Sequence, residues 1–393
     1  MSEVKNIPRL RFPKFEEIWN SCKVEDLFEF KNGLNKEKEF FGRGIPIINF
    51  MDVYKNPHLT SKNLSGLVDL TESEISRFSV IEGDLFFTRT SETIHDIGMS
   101  SSLIEDIPNC VFSGFTLRAR PKENVFDSKF TGYLFRTEKI RKEITTKSSM
   151  TTRALTSGSL LKKVVFNYPD SKEEQQKIAD FLTAVDKRID LLKKKKTLLE
   201  TYKKGVMKKI FNQEIRFKDY NGNDFPNWEE KKLGEITNKK SSNISANSIE
   251  FNKGEYTIYG ATGELKEVDF YEMDRPYISI VKDGSGVGRV KLCKPYSSVL
   301  GTLEILTNNK SSDLNFLFQF LSKTSFLKYV TGSSIPHIYY KDYSKLKLSV
   351  PSIKEQEKIS KFASSIDSQI ELLENQIDKS KTWKKGLLQK MFV

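Results

Sequence analysis

Apolar residues at Ile178, Leu182, Val185, Ile189, Leu192 and Leu199 step alternately by four and three, with Lys196 interrupting; the series resumes at Val206 and Ile210 after Lys203. A second series runs through Ile359, Ala363, Ile366, Ile370, Leu373, Ile377, Leu387 and Met391, broken by Ser380 and Lys384. A seam sustained for roughly five heptads predicts two long helices that pair as a coiled coil. Lys203 and Lys384 fall at equivalent seam positions, where a polar residue costs stability but fixes register. Ahead of each helix the pattern changes. Short β-rich runs such as Ile45-Pro46-Ile47-Ile48-Asn49-Phe50 and Lys345-Leu346-Lys347-Leu348-Ser349-Val350 mix with helical segments around Tyr133-Leu134-Phe135 and Leu317-Phe318-Gln319-Phe320-Leu321. Each such stretch reads as an α+β domain, strand-rich at its centre.

The chain repeats itself. Glu174-Gln175-Gln176-Lys177-Ile178 opens the first helix and Glu355-Gln356-Glu357-Lys358-Ile359 the second, and each closes on Lys-Lys-Gly, at Lys203-Lys204-Gly205 and Lys384-Lys385-Gly386. One offset separates Ile178 from Ile359 and Phe211 from Phe392. Weaker echoes lie upstream: Phe12-Pro13-Lys14-Phe15-Glu16-Glu17 with Phe225-Pro226-Asn227-Trp228-Glu229-Glu230, Asp127-Ser128-Lys129-Phe130 with Ser312-Asp313-Leu314-Asn315-Phe316, and Thr146–Met150 with Thr331–Ile335. A period this long is a domain duplication, because each unit is large enough for its own core. The expected organisation is a domain over 1–168, a helix over 169–213, a domain over 214–350 and a helix over 351–393. A pseudo-twofold relation between the units predicts antiparallel helix pairing with the domains at opposite ends of the rod. Roughly 37 helical residues span about 55 Å, against about 34 Å between major-groove sites one turn apart, so the rod suits a ruler between two half-sites.

Charge narrows the partner. The 393 residues carry 64 Lys and Arg against 52 Asp and Glu, a net charge of +12 that suits a polyanion, although the same excess also serves solubility. Asn, Ser, Thr and Tyr interleaved with the cations favour nucleic acid over a membrane. No apolar run approaches the roughly 20 residues that span a bilayer, and the opening residues do not read as a signal peptide. Cys22, Cys110 and Cys293 are scattered, as are His58, His95 and His337, so neither a disulfide framework nor a metal site is expected, and a reducing cytoplasm is the expected location. No GxxxxGK[ST] loop or adenine-methyltransferase Asp/Asn-Pro-Pro-Tyr/Phe motif occurs; Gly284-Ser285-Gly286-Val287-Gly288 reads as a hairpin turn between Tyr277–Val281 and Arg289–Leu292. A coiled-coil scaffold that never reads sequence, and a self-contained nuclease or methyltransferase with unrecognised motifs, stay open on these grounds.

The order domain, Pro-x-x-x-Glu-Gln-x-x-Ile helix, domain, helix resembles the specificity subunit of type I restriction-modification systems. The motif reads Pro169-Asp170-Ser171-Lys172-Glu173-Glu174-Gln175-Gln176-Lys177-Ile178 in the first copy and Pro351-Ser352-Ile353-Lys354-Glu355-Gln356-Glu357-Lys358-Ile359, one residue shorter before Glu-Gln, in the second. The resemblance covers essentially the whole chain. It implies two target recognition domains, each reading half of a split, asymmetric sequence in double-stranded DNA. It also implies spacer helices that dock two methyltransferase subunits, with two restriction and motor subunits joining. The chain would be non-catalytic, holding no cofactor itself, with S-adenosylmethionine, ATP and Mg²⁺ on the partners.

Candidate DNA contacts follow from polar loops after strands. In the first domain they are Arg89, Thr90 and Ser91, then Lys147, Ser148, Ser149, Thr151, Thr152 and Arg153, whose cations and hydroxyls suit base edges and phosphates. In the second they are Lys282 and Ser285, then Ser333, Ser334, His337, Tyr339, Tyr340 and Lys341. For each residue a solvated loop position is an equal reading. The run Lys193-Lys194-Lys195-Lys196 reads as a solvated helix face or a phosphate-facing stripe. Partner-docking candidates are Glu174, Gln175, Phe181, Tyr202 and Gly205, with Glu355, Gln356, Phe362, Trp383 and Gly386; the aromatics off the seam need burial against something.

Overall fold

The sequence repeat is a repeat of backbone in the computed structural model, which describes residues 6–393. Two compact units form: one holds the chain up to Leu192 together with Gln376–Val393, the other Lys193–Asn375. The division falls inside both long helices, Lys172–Phe211 and Ile353–Met391, so each unit holds part of both helices.

In the first unit a five-stranded sheet runs in the order Phe28–Asn32, Thr116–Pro121, Leu85–Thr88, Ser100–Leu103, His58–Leu59. In the second, Thr237–Ser241, Leu303–Asn308, Tyr277–Val281 and Val290–Cys293 form the same first four strands in the same order. Leu85–Thr88 and Tyr277–Val281 are buried at every position, which is why they read as continuous rather than alternating runs. Three-stranded sheets pack beside them, centred on Phe41–Ile48 in one unit and Tyr256–Gly260 in the other. The run expected as a strand through Phe50 ends at Ile48, because Asn49 turns the chain into the helix Phe50–Lys55, its N–H donating to Asp52 Oδ2 at 2.8 Å. Likewise the last strand begins at Lys347, not Lys345.

The seam residues are core residues. Ile178, Leu182, Val185 and Ile189 pack with Phe130, Tyr133 and Leu134, with Leu387 and Met391 of the second helix and with Phe392 just after it. In the other unit Ile359 and Ala363 pack with Phe316 and Leu317 and with Met207 and Ile210. Each seam lysine meets an aspartate on the facing helix. Lys203 Nζ lies 2.6 and 2.7 Å from the Asp367 oxygens, and Lys384 Nζ 2.5 and 2.8 Å from those of Asp186. Lys196 Nζ lies 2.5 Å from Glu374. Position rises along one helix as it falls along the other, so the pairing is antiparallel. Lys196 is thereby taken from the run of lysines read as one stripe.

The upstream echo needs a new register. Trp19 Nε1–H donates to Glu174 at 3.4 Å and Trp228 Nε1–H to Glu355 at 3.1 Å, so Trp19, not Phe15, is the counterpart of Trp228. Arg11 and Arg216 reach the same two carboxylates, and Phe12 and Phe217 meet Phe181 and Phe362 edge-on or tilted.

Candidate nucleic-acid interface

After Leu85–Thr88 the first domain's chain turns outward at Arg89. Arg89 N–H donates to the Phe115 carbonyl (3.0 Å), and the Arg89 carbonyl accepts from Thr156 N–H (3.1 Å). The short strand Thr90–Ser91 then pairs with Ala154–Leu155, which pairs with Ser149–Met150. Two segments sixty residues apart in expectation thus form one three-stranded sheet. Arg153 Nη2 lies 3.0 Å from Glu92, bridging the two. The Arg89 guanidinium has no hydrogen-bond or ion-pair partner among the described residues. From behind, Arg141 donates to the carbonyls of His95 (2.8 Å), Ile97 (2.6 Å) and Gly98 (2.6 Å), pinning the loop. Burial lowers the Arg141 pKa to about 10, still high enough to keep its charge near neutrality. A concave wall of Phe50 and Tyr54, stacked at 5.9 Å, with Met51 and Phe115, borders Thr90, Ser91 and Arg153 around a cavity of about 390 Å³.

The second domain repeats this station with other residues. Lys282 N–H donates to the Thr302 carbonyl (3.0 Å), and the Lys282 carbonyl accepts from Ile338 N–H (2.9 Å). His337 pairs with both Asp283 and Thr331, as Leu155 pairs with Thr90 and Ser149. His337 Nδ1 lies 2.7 Å from Asp283 Oδ1, and the His337 and Tyr339 rings stack at 6.5 Å, with Lys341 Nζ 5.5 Å from the Tyr339 ring. The hairpin expected at Gly284–Gly288 is present, and Gly284, Gly286 and Gly288 all take positive φ, which side chains rarely adopt. Lys282, Ser285, Ser333, Ser334, His337 and Tyr339 are exposed or half-exposed around it.

Three candidates are engaged by neighbouring groups. Tyr340 is half-buried on the core, its hydroxyl 3.2 Å from Thr237 Oγ1. Ser148 Oγ–H donates to the Ile144 carbonyl at 2.8 Å, closing a helix, and Lys147 is ion-paired with Glu143 one turn back. Thr151 and Thr152 remain exposed. Phe115 was missed by sequence reasoning, since a phenylalanine between two buried strands reads as core.

The docking candidates divide sharply. Glu174, Gln175, Glu355 and Gln356 are 1, 0, 0 and 0% exposed, and their side chains are engaged within their own units, which corrects their assignment to a partner surface. Arg11 grips Glu174 through Nε (2.7 Å) and Nη2 (2.8 Å); Arg216 grips Glu355 at 3.1 and 2.7 Å. Gln175 accepts from Asp127 N–H (2.8 Å) and donates to the Pro169 carbonyl (2.9 Å); Gln356 accepts from Asp313 N–H (2.8 Å) and donates to the Pro351 carbonyl (2.9 Å). Asp127 and Asp313 in turn cap the helices that open at Ser128 and Leu314. The Glu-Gln motif therefore clasps each domain to its helix. Tyr202 and Trp383 stay about half exposed, Trp383 edge-on to Phe181 at 6.0 Å, and Phe362 is half-buried. Around Gly205 and Gly386 a Cβ would meet nothing.

One framework presenting two different loop sets defines a protein with two readers. The family model described as Type I restriction modification DNA specificity domain matches residues 16–201 and 226–380. The chain belongs to that family: it is a DNA-targeting specificity subunit with two recognition domains, not itself catalytic. It is similar to the MjaX type I restriction enzyme specificity subunit of Methanocaldococcus jannaschii, 26% identical over 96% of this chain and 94% of that one. The MjaVIII specificity subunit of the same organism is 32% identical over 46% of each chain. Its fold is shared with the S subunit of a type I restriction-modification system from M. genitalium, with a TM-score of 0.64 at 18% identity, over 98% of this chain and 99% of that one. Among the described residues no helix is long and apolar enough to cross a membrane.

Proposed function

We propose that this cytoplasmic subunit holds a bipartite site in double-stranded DNA at the two stations built on Arg89 and Lys282. Each recognition domain contacts one half. Phosphates take the exposed cations, and base edges take the loop hydroxyls, Arg89, Lys282 and His337. Two modification subunits dock on the surface where exposed Trp383 and half-buried Phe181 lie near Gly386, and on the one where exposed Tyr202 and half-buried Phe362 lie near Gly205. A glycine inside a helix costs roughly 1 kcal/mol relative to alanine; its recurrence at both places, with open space beside it, supports close approach by another backbone. The partners carry S-adenosylmethionine for adenine N6-methylation, and two motor-nuclease subunits carry ATP and Mg²⁺. The observation that carries the reading is the repeated backbone station, Arg89 between Phe115 and Thr156, Lys282 between Thr302 and Ile338.

The test is co-expression with the neighbouring methyltransferase in a host lacking such systems, followed by single-molecule mapping of N6-methyladenine. One new split motif, methylated on both strands and absent without this chain, is expected. An assembled complex that adds no methylation would favour a scaffold that does not read sequence.

A further inference from the structure

Phe115 sits on a turn that leaves it little freedom. Gly114 N–H donates to the Leu34 carbonyl (2.7 Å), Phe115 N–H to Ser113 Oγ (3.3 Å) and Thr116 Oγ1–H to the Ser113 carbonyl (2.8 Å). The flanking strands Val111–Phe112 and Thr116–Pro121 are buried at Val111, Phe112 and Thr116–Ala119 or nearly so, yet the Phe115 ring is 65% exposed. The fold does not need a ring there. In the second domain Thr302 follows Gly301 at the same station, its carbonyl taking the Lys282 N–H as the Phe115 carbonyl takes that of Arg89. An aromatic ring held outward on a rigid turn, beside exposed Met51 and the stacked Phe50 and Tyr54, makes an apolar spot within a rim of Thr90, Ser91, Glu92, Asp96 and Arg153, next to Arg89, whose backbone N–H meets the Phe115 carbonyl.

Arg153 is neutralised there by Glu92, so the free cation among the described residues of this spot is the adjoining Arg89 guanidinium; with the Thr90 and Ser91 hydroxyls it suits a nucleic acid, and the apolar surface that duplex DNA offers in its major groove is the 5-methyl group of thymine. We infer that Phe115 is a specificity-determining residue of the first half-site, contacting a thymine 5-methyl group beside the base or phosphate taken by Arg89. The inference rests on the interface proposed above and adds a base chemistry to it.

The experiment uses the full chain with its modification subunits, scored by the N6-methyladenine motif in a methylation-free host. Phe115→Thr, which installs the second domain's residue, is expected to relax one thymine position in one half of the motif, with discrimination there falling roughly 5- to 100-fold. The other half and the spacer stay unchanged. With the mapped site in hand, replacing that thymine by deoxyuridine in a duplex weakens binding by the wild-type complex and leaves Phe115→Thr indifferent. An unchanged motif for Phe115→Thr, while Arg89→Ala degrades the same half, overturns the inference and leaves the interface standing. If both variants leave the motif unchanged, the interface falls too. Weakened complex assembly, with the remaining methylation falling on an unchanged motif, assigns the ring to a protein contact and also overturns it. Should Phe115→Thr silence methylation, Phe115→Leu and the deoxyuridine duplex decide: an apolar tip that keeps the methyl dependence supports the contact, and a methyl-independent complex refutes it.

Discussion

In the first domain Arg11 and Trp19 converge on Glu174; in the second Arg216 and Trp228 converge on Glu355. Gln175 and Gln356 make the same two kinds of bond, and the seam pairs Lys384–Asp186 and Lys203–Asp367 exchange roles between the helices. At the outward stations the agreement ends. A ten-residue excursion pinned by Arg141 stands in one domain where a glycine hairpin stands in the other, and Phe115 stands where the other has Thr302. The contacts that join a domain to its helix are duplicated almost atom for atom because either domain must fit the same helix pair. The loops carry no such constraint and are free to diverge.

The comparison breaks most visibly by exchange. Replacing the stretch from Phe225 to Val350 with that of another family member is expected to change one half of the methylated motif outright and leave the other half intact; a change in both halves would refute modular reading. Next is the clasp. Glu174→Ala strands the Arg11 guanidinium, only 10% exposed, and is expected to cost about 3 kcal/mol in chemical denaturation. Glu355→Ala should cost less, about 2 kcal/mol, because Arg216 is 22% exposed and keeps the carbonyls of Phe225 and Pro226. Equal losses would show that solvent access to the arginine does not matter. Smaller again is the seam: Lys203→Ala leaves an aspartate that is 45% exposed, so about 1 kcal/mol is expected in the same measurement, with Lys384→Ala slightly costlier because Asp186 also holds the Tyr133 hydroxyl.

The smallest effect separates the domains by pH. His58 is buried in the first domain, its ring 4.6 Å from Tyr133 and Nε2 donating to the Lys129 carbonyl, near Asp186, Lys384 and Arg136. Burial, the main cause, lowers its pKa despite that bond. The unfolded chain takes a proton below the ordinary value of 6.5 while the folded domain resists it, so stability is lost as pH falls through that value. Melting temperatures should drop on moving from pH 7.5 to 5.5 by more in the wild type than in His58→Gln; parallel drops would remove His58 as the cause.

Much of the fold was legible in the chain. At the ends of the seam Ile178, Leu182, Val185, Ile189, Ile210, Ile359, Ala363, Leu387 and Met391 lie in the two cores, while Leu192, Leu199, Val206 and Ile370 are half-buried and Met207 is buried beside Val206; the three lysines that break the seam, Lys196, Lys203 and Lys384, each meet a carboxylate across it. The site was legible as segments but not as a surface. Thr90 and Leu155 share no local signal; only their strand pairing joins them. Tyr340 carries the residue type of a DNA loop, yet tertiary packing sets its hydroxyl against Thr237, while Ser148 bonds locally to the Ile144 carbonyl at the end of its own helix. Phe115 was not singled out in the sequence: it is an apolar residue between buried strands, and the turn at Ser113–Thr116 holds it out.

By itself the sequence determined the duplication, the helices and the family, since these rest on periodicity and on short motifs that survive in order. Only the tertiary structure decided what the Glu-Gln motif is for, which tryptophan answers Trp228, and which loop residues face outward. Those questions turn on burial and on hydrogen bonds between residues far apart in the chain, such as Arg11 with Glu174 and Arg216 with Glu355, and no local pattern records such partners.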